Sequence, residues 1–310
     1  MRLMIKRGAI AVKAGITLLL VDMTAWTPQN SPTFKKTAKD LLRMTFRSHS
    51  KLLMTGAAGG LGQAMRPRLQ QNCDVLRLSD ISPMAAAQTG EEVVPADLSD
   101  FEAVKALVAG CEAIVHFGGV STEQAWAPIL QANIIGAYNL YEAARLHGVK
   151  RIIFASSNHV MGFYRQSDVV DALSPPRPDG FYGLSKAFGE DISRLYFDRY
   201  GIETACVRIG SSFPEPRDRR MLATWLSYDD LHRLITACLT TPVLGHSIIY
   251  GTSDNSVSWY DNHLAKHIGY RPLDSSDVFR EAVYARTPEP DFTDPAVLYQ
   301  GGGFVKIGPL

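Results

Sequence analysis

Residues 51–80 read KLLMTGAAGGLGQAMRPRLQQNCDVLRLSD, and this stretch decides the fold. The run 51–55 (KLLMT) is short, apolar and of strand length. Gly56-Ala-Ala-Gly59-Gly60-Leu61-Gly62 follows it directly, and 61–71 carries a helix pattern. A second strand, 75–78 (VLRL), leads to Asp80. Glycines between a strand and a helix let backbone N–H groups approach a pyrophosphate at the helix N-terminus. The glycines alone are a weak signal. Their placement strengthens it, and Asp80, 18 residues past Gly62, completes it. A carboxylate there accepts hydrogen bonds from the adenosine ribose and repels a 2′-phosphate, so NAD is expected over NADP. Taken singly, Asp80 would read as a turn-capping residue.

Outward from this unit the alternation continues. A short third strand at 93–94 is followed by Asp97 and a helix over 100–109; Asp97-Leu98 is placed to bracket the adenine, although Asp97 alone reads as an N-cap. A fourth strand, 113–117 (AIVHF), ends in Phe117-Gly118-Gly119. One long helix is expected to carry Trp126, Leu130, Ala137, Tyr141 and Ala144 on a single face. The run 151–156 (RIIFAS) is a fifth strand, 182–200 a helix and 204–209 (TACVRI) a sixth strand. Apolar strands separated by helices imply α/β architecture, a doubly wound, Rossmann-type parallel sheet covered on both faces. Beyond 210 the pattern turns irregular, with a helix near 228–239 and a strand at 247–250. The expected organisation is a nucleotide-binding core over 51–210 and a small substrate-binding lobe over 211–310.

The chain has 310 residues, 46% hydrophobic and 20% charged, which excludes a disordered tail, a collagen-like chain and a disulfide-stapled miniature. Residues 1–50 hold nine Lys or Arg against Asp22 and Asp40, a net of +7, and 51–310 nets −6. A mildly acidic body lacks the basic face that nucleic acid requires. The longest uncharged run near the start, 14–21, is far below the ~20 residues that span a bilayer. Residues 1–50 are therefore read as a basic extension, disordered or upstream of the true start, and dispensable for chemistry. Cys73, Cys111, Cys206 and Cys238 show no metal spacing. Buried thiols, no metal and a cytoplasmic location are expected.

Tyr182-Gly-Leu-Ser-Lys186 forms a second constellation. Tyr and Lys four residues apart share a helix face, so an ammonium can lie near a phenol. A nearby cation lowers a phenol from about 10 by about 1–3 units, making a usable base. The spacing occurs by chance in many helices. Ser156-Ser157-Asn158-His159 at the end of the fifth strand argues against chance, because doubly wound sheets place ligands at strand C-termini.

Together these motifs resemble the extended short-chain dehydrogenase/reductases. Within them the chain is similar to the bacterial NAD-dependent uronate dehydrogenases, through 55–61 (TGAAGGL), 154–159 (FASSNH), 177–186 (RPDGFYGLSK), 220–225 (RMLATW) and 299–305 (YQGGGFV). The resemblance covers 51–310 and none of 1–50. It implies that Tyr182 is the base, that Lys186 holds the nicotinamide ribose and lowers the phenol pKa, and that Ser157 orients the reacting hydroxyl. Ser121, Ser157, Asn158, His159, Tyr182, Ser211 and Arg220 would line the sugar site. Gly56, Gly59, Gly60, Leu61, Gly62, Asp80, Asp97, Leu98, Phe117, Gly118, Gly119, Tyr182, Lys186 and Ser211 would contact NAD.

From the residues alone His159 reads as a loop-packing histidine, Arg220 as a solvated member of the Arg217–Arg220 cluster, His116 as structural and Asn133 as a buried backbone-bonding group. The activity implied is oxidation of glucuronate or galacturonate at C1 to the aldarolactone. The expected partners are that small hexuronate and further copies of the chain, with no nucleic acid and no membrane. A nucleotide-sugar epimerase or dehydratase is the enzyme rival, but about 100 residues after the sixth strand are few for a nucleoside diphosphate. A dinucleotide-sensing regulator is the non-enzyme rival, and an intact Ser157, Tyr182 and Lys186 set argues against it.

Overall fold

The computed structural model of the chain describes residues 4–6, 9–14, 17–22 and 49–308. Met1–Phe46 and Arg47–Leu310 are separate units. In the first, β1 (Met4–Lys6), β2 (Ala9–Ala14) and β3 (Thr17–Asp22) pair antiparallel, with Ile10 opposite Val21 and Val12 opposite Leu19. Apolar and β-branched residues in cross-strand register favour such a ribbon. The extension expected to be irregular thus carries strands over 4–22, and 23–48 lies outside the described residues.

In the second unit β4 (His49–Thr55), β5 (Cys73–Ser79), β6 (Glu91–Val93), β7 (Ala113–His116), β8 (Arg151–Ser157), β9 (Glu203–Ile209) and β10 (His246–Gly251) form one sheet. Its order is β10-β9-β8-β7-β4-β5-β6, and every pair is parallel. Strand side chains alternate between faces, and both faces are buried. Leu52, Met54, Leu76, Val115 and Val207 pack with α1 (Gly60–Leu69) and α5 (Tyr228–Thr240) on one side. Leu53, Ile114, Ile152 and Cys206 pack with α2 (Phe101–Val108), α3 (Gly136–His147) and α4 (Phe181–Tyr200) on the other. This is the predicted doubly wound, Rossmann-type sheet. The strand order reverses between β4 and β7, so the loops that follow them diverge and leave a crevice at the strand C-termini.

Three details differ from the sequence-based expectations. The helix before residue 147 is continuous from Trp126 but not regular: Trp126–Ile129 is α-helical and passes through a π-helical segment, Leu130–Ile135, before α3 begins. A wide turn shifts the helical register, and Trp126 leaves the buried face for 42% exposure while Ala137, Tyr141 and Ala144 stay buried. The N-cap of α2 is Asp100, whose carboxylate accepts from the Ala103 N–H. Asp97 instead accepts from the Ser99 N–H and hydroxyl, closing a turn of its own. Finally, β10 lies past residue 210 yet completes the sheet beside β9, so the sheet runs on past the expected boundary to Gly251. All four cysteines are buried, as expected of small core thiols.

Candidate active site

The loop from β4 to α1 is built around backbone proximity. Gly56 has φ +71°, and a Cβ there would lie 2.6 Å from the Phe117 carbonyl carbon. A Cβ on Gly62 would lie 2.2 Å from the Gly56 oxygen, so the helix can pack this close to its own loop only with glycine. Gly60 meets nothing within 4 Å and faces open space. Helix α1 starts at Gly59 with no side-chain cap and no acidic residue in its first turn. Its first N–H groups and its positive dipole end are thus turned to whatever anion enters the crevice. Asp80 Oδ2 accepts from the Ala58 N–H at 3.0 Å and Oδ1 from the Ser82 N–H at 2.9 Å. The carboxylate therefore braces the glycine loop, the turn-capping role included, while facing the crevice. A cradle that side chains would fill, an uncapped helix and a carboxylate at the second strand fit a dinucleotide.

The crevice opens into a cleft of about 1120 Å³. Gly56, Gly59, Gly60, Leu61, Gly62, Asp80, Asp97, Leu98, Phe117, Gly118 and Gly119 line one part of it. Ser121, Ser157, Asn158, His159, Tyr182, Lys186, Ser211 and Arg220 line the remainder, so every residue singled out from sequence as a site residue is brought to one cavity. The Ser211 hydroxyl is already engaged with Thr224 Oγ1 at 2.9 Å. Asn133, in the π-helical segment, clamps both backbone groups of Val120 and donates to the Ser185 hydroxyl. His116 is buried against Thr55 Oγ1 at 2.7 Å, and burial lowers its pKa to about 3, so it stays neutral.

Tyr182 and Lys186 sit one turn apart on the buried side of α4. Lys186 Nζ donates to the Ala155 carbonyl at 2.8 Å and stands 5.7 Å from the centre of the Tyr182 ring. Burial pulls the ammonium down to about 8. Burial also pushes the Tyr182 phenol up to about 12; a hydrogen bond with Ser157 opposes this and the Asp179 charge adds to it. In the protein without a bound cofactor, loss of solvation thus holds the phenol above its ordinary value.

Sequence reasoning missed three residues here. Glu123 accepts from the N–H groups of Phe181 and Tyr182 at 2.9 and 2.8 Å, capping α4 where Gly180 supplies no side chain. Asp179 Oδ2 lies 2.6 Å from His159 Nδ1. Phe304 stacks on His159 with ring centres 3.8 Å apart. Phe304 and Asp179 lie within the 299–305 and 177–186 stretches that carry the resemblance, and Glu123 left no signal. Arg220 Nε donates to the Gln300 carbonyl at 2.6 Å, and its buried Nη2 has no hydrogen-bond partner among the described residues.

Residues 52–236 match the NAD dependent epimerase/dehydratase family. The uronate dehydrogenase of Pseudomonas putida is 60% identical over 268 residues, 86% of this chain and all of that protein. The crystal structure of a glucuronic acid dehydrogenase from Chromohalobacter salexigens superposes with a TM-score of 0.83 at 52% identity, covering 84% of this chain and 98% of that one. A mutant of the Agrobacterium tumefaciens uronate dehydrogenase complexed with NAD gives a TM-score of 0.83 at 50% identity, with coverage of 84% and 98%. The family match spans the glycine loop, the Tyr182–Lys186 helix and the Arg220 segment. The chain belongs to the NAD dependent epimerase/dehydratase family and, within it, to the uronate dehydrogenases.

Proposed function

We propose that the chain oxidises glucuronate or galacturonate at C1 to the aldarolactone, with Tyr182 as the general base. The observation that carries this reading is the meeting, in one cleft with the glycine loop, of a buried phenol and a guanidinium with an unpartnered Nη2. A uronate differs from a hexose by a carboxylate remote from C1, so selecting it takes a fixed cation away from the base. Arg220 can serve as that cation, because Nε is tied to Gln300 and the two Nη nitrogens remain to meet a carboxylate.

When bound, NAD⁺ supplies the two-electron acceptor for the C1–H bond and a positive charge that favours the phenolate. Gly56, Gly59, Gly62 and the α1 N-terminus would hold its pyrophosphate, and Asp80 its adenosine ribose. Ser157 orients the O1 hydroxyl, and Tyr182 takes its proton as the bond to C1 becomes a carbonyl. Lys186, held by Ala155, anchors the nicotinamide ribose and stabilises the phenolate. Glu123 fixes the backbone of the base itself.

The catalytic unit in this reading is the one that starts at Arg47; of the 1–50 stretch expected to be dispensable, His49 and Ser50 belong to β4, so only the residues before Arg47 are dispensable. Among the described residues no helix is long and apolar enough to cross a membrane. The test is NADH formation by the purified protein with NAD⁺ and a panel of uronates, neutral sugars and UDP-sugars. Turnover confined to free uronates is expected. Turnover of UDP-sugars in their place would transfer the site to nucleotide-sugar chemistry.

A further inference from the structure

His159 is held on three sides. Its Nδ1 lies 2.6 Å from Asp179 Oδ2, Phe304 stacks on one ring face at 3.8 Å, and the Tyr182 ring meets it edge-on at 5.8 Å. The ring lines the cleft, and its Nε2 makes no hydrogen bond among the described residues. Asp179 has a fully buried side chain, and its second oxygen, Oδ1, has no hydrogen-bond partner among the described residues. Room for that carboxylate is made by glycines. A Cβ on Gly162 or Gly301 would lie 2.0 or 2.1 Å from Asp179 Oδ2, and one on Gly183 would lie 3.1 Å from Oδ1. Burying a carboxylate so deeply is costly, and packing alone would be served by an apolar side chain.

What the carboxylate does follows from donor and acceptor chemistry. An ionised Asp only accepts, so the proton it faces must sit on His159 Nδ1. A neutral imidazole protonated at Nδ1 presents a lone pair at Nε2. We propose that Asp179 is a positioning residue that fixes His159 as its Nδ1–H tautomer, so that Nε2 accepts a hydrogen bond from a hydroxyl of the sugar ring. The proposal deepens the uronate reading and rests on it for the identity of the ligand. The electrostatic surroundings agree. Burial lowers the His159 pKa against the pull of Asp179 and Glu123, and Arg220 lowers it further, which favours the neutral ring. A neutral acceptor at Nε2 leaves the uronate carboxylate to Arg220 and assigns His159 to a hydroxyl.

Two measurements test this. Nitrogen-15 NMR of histidine-labelled protein, with the His159 signals identified by their loss in His159→Gln, should show a neutral ring protonated at Nδ1. A ring protonated at Nε2, or at both nitrogens, at neutral pH overturns the proposal. In a double-mutant cycle, Asp179→Asn should raise the uronate KM about tenfold while the KM for NAD stays put. The same substitution added to His159→Gln should change the uronate KM by less than about twofold. Equal effects in both backgrounds would make Asp179 a packing residue and overturn it. If the wild type turned over no uronate, the functional reading would fall, and the NMR result would still decide the tautomer.

Discussion

Lys186 Nζ stands 5.7 Å from the centre of the Tyr182 ring, with the ammonium held by the Ala155 carbonyl. Burial works against the charged form of both groups, drawing the ammonium to about 8 and driving the phenol to about 12. The chain by itself therefore holds a neutral phenol beside a desolvated cation. In the reading proposed above, a further positive charge next to the ring is what favours the phenolate.

Lys186→Met should abolish most turnover and stabilise the fold. Below about pH 8 the lysine is charged whether folded or unfolded, and the folded state bears the full desolvation cost. Between about 8 and the ordinary value of 10.5 the folded protein sheds its proton first, so wild-type stability rises with pH. The gain on substitution is at most about 3 kcal/mol at neutral pH and vanishes above the ordinary lysine range. Thermal denaturation of both proteins across pH checks this. A loss of stability at pH 7 would contradict it.

Asp80→Ala removes both the acceptor for the Ala58 N–H and the carboxylate proposed to meet the ribose. The expected result is a fall of about tenfold or more in kcat/KM with NAD, and a narrowed preference over NADP because 2′-phosphate repulsion is gone. Steady-state kinetics with both cofactors provide the readout. A wild type that already uses NADP as well as NAD would remove the role given to Asp80.

Arg220→Ala should lower kcat/KM for uronates roughly 10- to 150-fold, the equivalent of about 1.5–3 kcal/mol for a hydrogen bond to a charged group. Arg220→Lys keeps the charge without the planar fork and should recover only part. Glucose and galactose should be poor substrates and almost indifferent to the change. Equal losses on uronate and neutral sugar would leave Arg220 a structural tie to Gln300.

The features legible in the sequence are those set by near neighbours. Apolar runs such as Leu52-Leu53-Met54 and the glycines after Thr55 announced a buried parallel strand and its loop, and both lie where the pattern put them. What stayed hidden depends on residues far apart in the chain. Glu123 caps a helix that begins 58 residues later. Phe304 reaches His159 from the far C-terminus, and β10 returns to the sheet beside β9 after an irregular stretch. The π-helical segment at Leu130–Ile135 is likewise invisible to periodicity, because a local register shift preserves composition while turning Trp126 outward.

The central claim is that Tyr182 takes the proton from the sugar hydroxyl, and Tyr182→Phe tests it most directly. The substitution deletes one oxygen, and with it the hydrogen bond to Ser157, from a ring packed against His159, while Glu123 and the glycine loop stay untouched. Measured with saturating NAD⁺ and uronate, kcat should fall by ~10²–10⁴-fold while NAD affinity stays near that of the wild type. Retention of more than about a tenth of the wild-type kcat would contradict the assignment and place the base elsewhere in the cleft.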